Sequence, residues 1–196
     1  VYDSTNLNVV TISQDPTEKS VILTFDDGPG RFLPQILDVL KQEQVPAVFF
    51  WQSRLLYPKR PWKRVLSEGH LIGTHTTKHI NLEKLTYDEQ YQEVKNSVMA
   101  IEKVTGTRVK YFRPPFGRFN NDTIKAAKKL SLTPVIWRVA SMDWELKDNP
   151  EQILNNIVEN LEDGAVILLH ELKQTLDVLP RLIDAIREKG YNFKLL

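Results

Sequence analysis

Two pairs of residues in this chain have the types and spacing to do chemistry together. Asp26 and Asp27 close a short apolar run over residues 20–25, and Gly28-Pro29 turns the chain away at once. Two adjacent carboxylates repel each other unless a cation or cationic side chain compensates. His75 and His79 stand four residues apart, a spacing that brings two imidazoles to one side of a helical turn and within reach of one metal ion. Two imidazoles and one carboxylate leave a coordination position open for water or substrate, as a catalytic metal site requires. The His-Glu-x-x-His helix of metalloproteases does not apply, because position 76 is Thr and supplies no general base. Taken singly, the acidic pair reads equally well as a solvated turn, and the histidine pair reads more readily as packing.

Other chemistry-bearing residues recur in similar places. Arg113 opens the loop Arg113-Pro114-Pro115-Phe116-Gly117, which its two prolines stiffen and whose guanidinium could neutralise or orient a carboxylate. Asp143-Trp144 sets a carboxylate beside a flat apolar ring, and His170 ends the apolar run over residues 165–169. Trp51, Trp62 and Trp144 are candidates for a sugar-binding groove. His70 follows Glu68-Gly69 at a helix end and reads as structural.

The elements that must hold these residues alternate along the chain. Short β-rich runs fall at 20–25, 45–51, 71–74, 109–112, 133–139, 165–169 and 191–195, seven in all. Helical patterns lie between them at 33–42, 61–67, 87–104, 121–130, 150–161 and 175–189. In the longest, Tyr91, Val94, Val98, Ile101 and Val104 share a face, after a Thr86/Glu89 capping-box pattern. This alternation predicts right-handed βαβ units and a mainly parallel sheet, open or closed into a barrel. In either architecture the site forms in the loops at the carboxyl ends of the strands, where Asp26, Asp27, His75, Arg113, Asp143 and His170 are all found.

Composition narrows the function classes. The 196 residues suit a single domain, with 1–19 as a polar extension packing on a domain over 20–196. Lys and Arg total 26 against 25 Asp and Glu, with no like-charge block, which argues against nucleic acid as a partner. There is no cysteine, so thiolate nucleophiles, disulfides and cysteine zinc sites are excluded. No apolar run approaches the roughly 18 residues of a membrane span. The chain begins at Val1, as a trimmed or mature product does, so a missing leader is no argument for the cytoplasm.

Together these residues resemble the NodB-type polysaccharide deacetylases, carbohydrate esterase family four. Five motifs appear in order: Thr-Phe-Asp-Asp-Gly at 24–28, His-Thr-x-x-His at 75–79, Arg-x-Pro-Phe at 113–116, Asp-Trp at 143–144 and Leu-x-His at 168–170. The resemblance implies a distorted (β/α) barrel of about seven parallel strands with outer helices. It implies that Asp27, His75 and His79 hold one divalent metal ion, zinc by preference, with cobalt, nickel or manganese admissible. It further implies Asp26 as general base, His170 as general acid, Asp143 orienting His170 and Arg113 orienting Asp26. Substrate would be bound by Leu168 against the acetyl methyl, by the Phe116 backbone amide at the oxyanion, and by Trp144.

The implied activity is hydrolysis of N-acetyl groups on peptidoglycan or a chitin-like glycan, by a monomer outside the cell or in its envelope. The alternatives are an O-acetyl esterase on acetylxylan or a similar glycan, and a non-catalytic carbohydrate-binding member. Two positions depart from the family pattern. Ala140 stands where the fourth motif usually begins with Asp, and Phe116 stands where Tyr is commoner and so lacks its hydroxyl.

Overall fold

The computed structural model describes residues 1–2, 4–13 and 18–196, so part of the expected 1–19 extension lies outside the described residues. Strands and helices alternate as β1 (Ser20–Gly28), α1 (Leu33–Glu43), β2 (Ala47–Trp51), α2 (Trp62–Ser67), β3 (Leu71–Thr74), α3 (Tyr87–Thr105), β4 (Tyr111–Phe112), α4 (Asn121–Lys129), β5 (Thr133–Pro134), β6 (Val139–Ala140), α5 (Pro150–Val158), β7 (Val166–His170), α6 (Lys173–Glu188) and β8 (Asn192–Phe193). Seven parallel strands in the order β5-β4-β3-β2-β1-β7-β6 make a curled half-barrel wrapped by helices, and β8 pairs with the start of β1. This is the distorted (β/α) barrel. No helix of the described residues is long and apolar enough to cross a membrane.

Local sequence accounts for most boundaries. Helix α3 opens on the reciprocal Thr86/Glu89 capping box and ends at Gly106, whose φ of 68° suits a residue without a Cβ. Helix α4 opens on a second box between Asn120 and Thr123. The single strand expected over 133–139 is instead two, because β5 pairs with β4 at one edge of the sheet and β6 pairs with β7 at the other. Residues 135–138 carry the chain between those edges. The backbone of Val10 and Thr11 enters the same gap, with the Val10 amide donating to Pro134 and the Val166 amide to Thr11.

The two faces of the sheet bury different things. On β1, Val21, Leu23 and Phe25 point to the helix layer and join the large core with Leu37, Leu40, Leu182 and Ile183. Ile22 points to the barrel interior and packs with Val48, Phe50, Val135 and Val166. Because side chains alternate with period two, Thr24 and Asp26 follow Ile22 inward, as Leu168 and His170 follow Val166 on β7. The strand pattern that fills the small inner core therefore also delivers polar tips to its carboxyl end.

Candidate active site and metal centre

In a regular strand Asp26 and Asp27 would face opposite sides of the sheet. The register shows how both reach one cavity: Asp26 lies opposite Phe50 and Gly28 opposite Trp51, so Asp27 is the extra residue of a β-bulge, with φ at 69°. The strand accordingly runs on to Gly28 rather than ending at Asp26. Strained backbone is concentrated around the site. Of seven described non-glycine residues with positive φ, five lie in its loops: Asp27, Thr76, His79, Phe116 and Met142.

The histidine pair corrects a sequence expectation. Residues 75–79 form a loop after β3, not a helical turn, and left-handed Thr76 and His79 curl it until the rings stand 4.8 Å apart, centre to centre. The His75 Nδ1 lies 2.7 Å from the Arg113 carbonyl, which only accepts, so Nδ1 carries the proton and Nε2 keeps its lone pair. Burial pushes the His75 pKa down despite the nearby carboxylates, which keeps that imidazole neutral. Asp27 Oδ1 lies 3.6 Å from His75 Nε2 and 3.3 Å from His79 Nε2. One ligand atom from each of the three residues falls within 4.8 Å of the others. A neutral, backbone-oriented imidazole, a second imidazole and a partly exposed carboxylate are a donor set that fits a divalent ion such as zinc.

Around this cluster two ion pairs are already assembled. Arg113, fully buried, donates to Asp26 Oδ1 and to Thr24 Oγ1, both at 2.7 Å, and to the carbonyls of Val135 and Ile136. Its guanidinium also lies 4.3 Å from the centre of the Phe50 ring. Asp26 Oδ2 is left facing His75 Nε2 at 3.6 Å. On the other side, Asp143 is completely buried and accepts from the His170 amide at 2.7 Å and the Thr175 hydroxyl at 2.6 Å. Its Oδ1 lies 2.7 Å from His170 Nδ1. Burial alone would lower the His170 pKa, but the bond and charge of Asp143, with Asp26 and Asp27 beyond, outweigh it and raise the pKa.

The cavity between these groups measures about 440 Å³ and is lined by Asp26, Asp27, His75, His79, Phe116, Trp137, Trp144, Leu168 and His170. Phe116 and Trp144 are exposed, their rings 4.6 Å from the His79 ring and 5.3 Å from the His170 ring respectively. Two of the tryptophans considered for a sugar groove do not line it. Trp51 is fully buried, and Trp62 packs on the helix side with its indole on the Pro58 carbonyl. Trp137 takes their place, packed so closely on Gly117 that a Cβ there would come within 2.7 Å of it. Ala140 pairs with Leu168, and neither Arg113 nor His170 depends on it for a partner. His70 accepts the Ala47 amide and lies apart from the cavity.

Residues 13–135, well over half of the chain, match the family model for polysaccharide deacetylases. The chain belongs to the polysaccharide deacetylase family. It is 36% identical over 184 residues to a peptidoglycan-N-acetylglucosamine deacetylase of Bacillus cereus, which covers 90% of this chain and 66% of that protein. It is 32% identical over 183 residues to a peptidoglycan-N-acetylmuramic acid deacetylase of Bacillus subtilis, with 90% and 70% covered. The chain thus spans about two thirds of the length of these relatives. Among solved structures, a peptidoglycan N-acetylglucosamine deacetylase in complex with 4-naphthalen-1-yl-N-oxidanyl-benzamide superposes with a TM-score of 0.87 at 34% identity, over 94% of this chain and 89% of that one. A family-four pseudoenzyme from Bacillus anthracis superposes with a TM-score of 0.83 at 28% identity, over 91% and 64%. Membership in this deacetylase family therefore includes both active and inactive proteins, and the side chains of the site must decide.

Proposed function

We propose that this chain is a metal-dependent hydrolase that removes N-acetyl groups from the amino sugars of peptidoglycan, releasing acetate outside the cytoplasmic membrane. The observation that carries the reading is the sharing of one cavity by a metal-ligating trio, an Arg-held carboxylate and an Asp-paired histidine. A divalent ion held by Asp27, His75 and His79, zinc first, would polarise the acetamide carbonyl and make water more acidic.

Each remaining group has a defined part. Arg113 occupies Oδ1 of Asp26, so Oδ2 is the oxygen that takes the proton from the attacking water. Charge then develops on the former carbonyl oxygen, where the Phe116 backbone amide serves as a donor, a contribution worth about 3 kcal/mol when well placed. Asp143 holds Nδ1 of His170, leaving Nε2 to deliver its proton to the departing amine nitrogen as the carbon–nitrogen bond breaks. The raised His170 pKa keeps that proton available. Leu168 borders the acetyl methyl, while Phe116 and Trp144 flank the sugar.

The test is an acetate-release panel on zinc-loaded protein with peptidoglycan, chitooligosaccharide and acetylxylan. Release from peptidoglycan, abolished by chelation, is the expected result. Release from acetylxylan alone would make the protein an ester hydrolase instead. Glycan binding without release from any of the three would place it with the inactive members.

A further inference from the structure

Glu171 follows His170 and has no part in the chemistry above, yet its carboxyl is buried. One residue on from a side chain that faces the barrel, it lies among the strand ends toward the helix layer. Oε2 accepts the Gly30 amide at 2.5 Å, and Oε1 accepts the indole N–H of Trp51 at 2.8 Å. Gly28 gives up its side chain to this group, because a Cβ there would collide with the Glu171 carboxyl. Burial pushes the Glu171 pKa up to about 7 in spite of both hydrogen bonds. Burying a carboxyl costs free energy, and here that cost is offset by the two N–H donors its oxygens satisfy, which an apolar side chain would leave without that acceptor.

What those oxygens hold are the strand ends that carry the site. Gly28 ends β1 and Gly30 lies two residues beyond it, Trp51 ends β2, and the backbone of Glu171 continues from His170. We propose that Glu171 is a positioning residue: it locks the Asp27–Gly30 segment at the end of β1 to the strand end bearing His170, and so fixes the metal-ligating carboxylate relative to the proposed general acid. The two groups stand 3.6 Å apart, Asp27 Oδ2 to His170 Nε2. Asp27 needs such a brace because it is a bulge residue without a regular ladder partner. Gln52 also holds it, donating from its side-chain amide to Oδ1 at 3.1 Å.

This inference rests on the deacetylase reading, and the test keeps the two apart. Glu171→Gln preserves shape but turns an NH2 toward one of the two N–H donors, while Glu171→Ala empties the clamp. Zinc affinity is measured by competition with a chromophoric chelator, alongside kcat and KM for acetate release and the thermal midpoint. Glu171→Gln is expected to bind zinc at least about 10-fold more weakly, in line with other residues that orient metal ligands. Its kcat falls with KM within twofold of wild type. Wild-type zinc affinity and kcat in Glu171→Gln, with only the thermal midpoint lowered, would overturn the proposal. If Glu171→Ala does not fold, Glu171→Gln still decides. A wild type that binds zinc but releases no acetate sinks the deacetylase reading, and the zinc affinity of Glu171→Gln still decides the role of Glu171.

Discussion

At the scale of single residues, two carboxylates of similar type are given different work by their surroundings. Asp26 is pinned by a buried guanidinium, and Asp143 is hydrogen-bonded to His170, whose pKa it raises. The Asp143–His170 pair sets a pH dependence whose sign follows directly. A raised histidine pKa keeps the imidazolium above its ordinary range, and activity that needs it is lost as pH rises through that raised value. Asp143→Asn removes the charge, so the alkaline limb of the kcat profile should move to lower pH; an unmoved limb would show that another group sets it. Phe116→Ala should raise KM several-fold with a smaller change in kcat, since the ring lines the cavity mouth while the proposed oxyanion contact uses the backbone amide. Asp26, His75, Arg113 and His170 stand at or next to strand ends, where an apolar run closing on a polar residue is visible in the sequence; His79 stands out only by its spacing from His75, and Asp143 only as a carboxylate beyond a strand. Glu171, Gln52 and Trp137 were not legible there. Their partners lie 120, 25 and 20 residues away at Trp51, Asp27 and Gly117, and no local pattern encodes such contacts.

At the scale of elements, periodicity located the six α-helices of the described residues, and capping residues set the starts of α3 and α4. It failed where backbone departs from a regular period. Four-residue spacing alone suggested a helical turn for His75 and His79, but left-handed Thr76 and His79 produce the same proximity in a loop. The bulge at Asp27 was equally hidden, since any residue type leaves the strand pattern intact on either side. The run over 133–139 looked like one strand because both halves are buried, and only pairing to opposite sheet edges divides it. A prediction belongs to the loop carrying Phe116. Gly117 combines a φ of 64° with close packing on Trp137, so Gly117→Ala should cost about 1–3 kcal/mol of stability, read by denaturant unfolding, and should displace a cavity-lining ring.

At the scale of the whole molecule, curling the sheet brings β5 and β6 to opposite edges and lets the chain between them, with Val10 and Thr11, cross the gap. Arg113 spans the interior from there, tying the Val135 and Ile136 carbonyls to Asp26 on β1. The proposed metal ligands likewise come from two separate segments, Asp27 from β1 and His75 and His79 from the loop after β3, so on this reading zinc should stabilise the folded chain by linkage. At 100 times its dissociation constant zinc should add about 2.7 kcal/mol, and His79→Ala should abolish the shift in thermal midpoint. The most direct test of the central claim is acetate release from peptidoglycan by Asp26→Asn, measured beside its zinc content. Full zinc occupancy with turnover reduced about 10²–10⁴-fold is the predicted result. Near-normal acetate release from that variant would contradict the account.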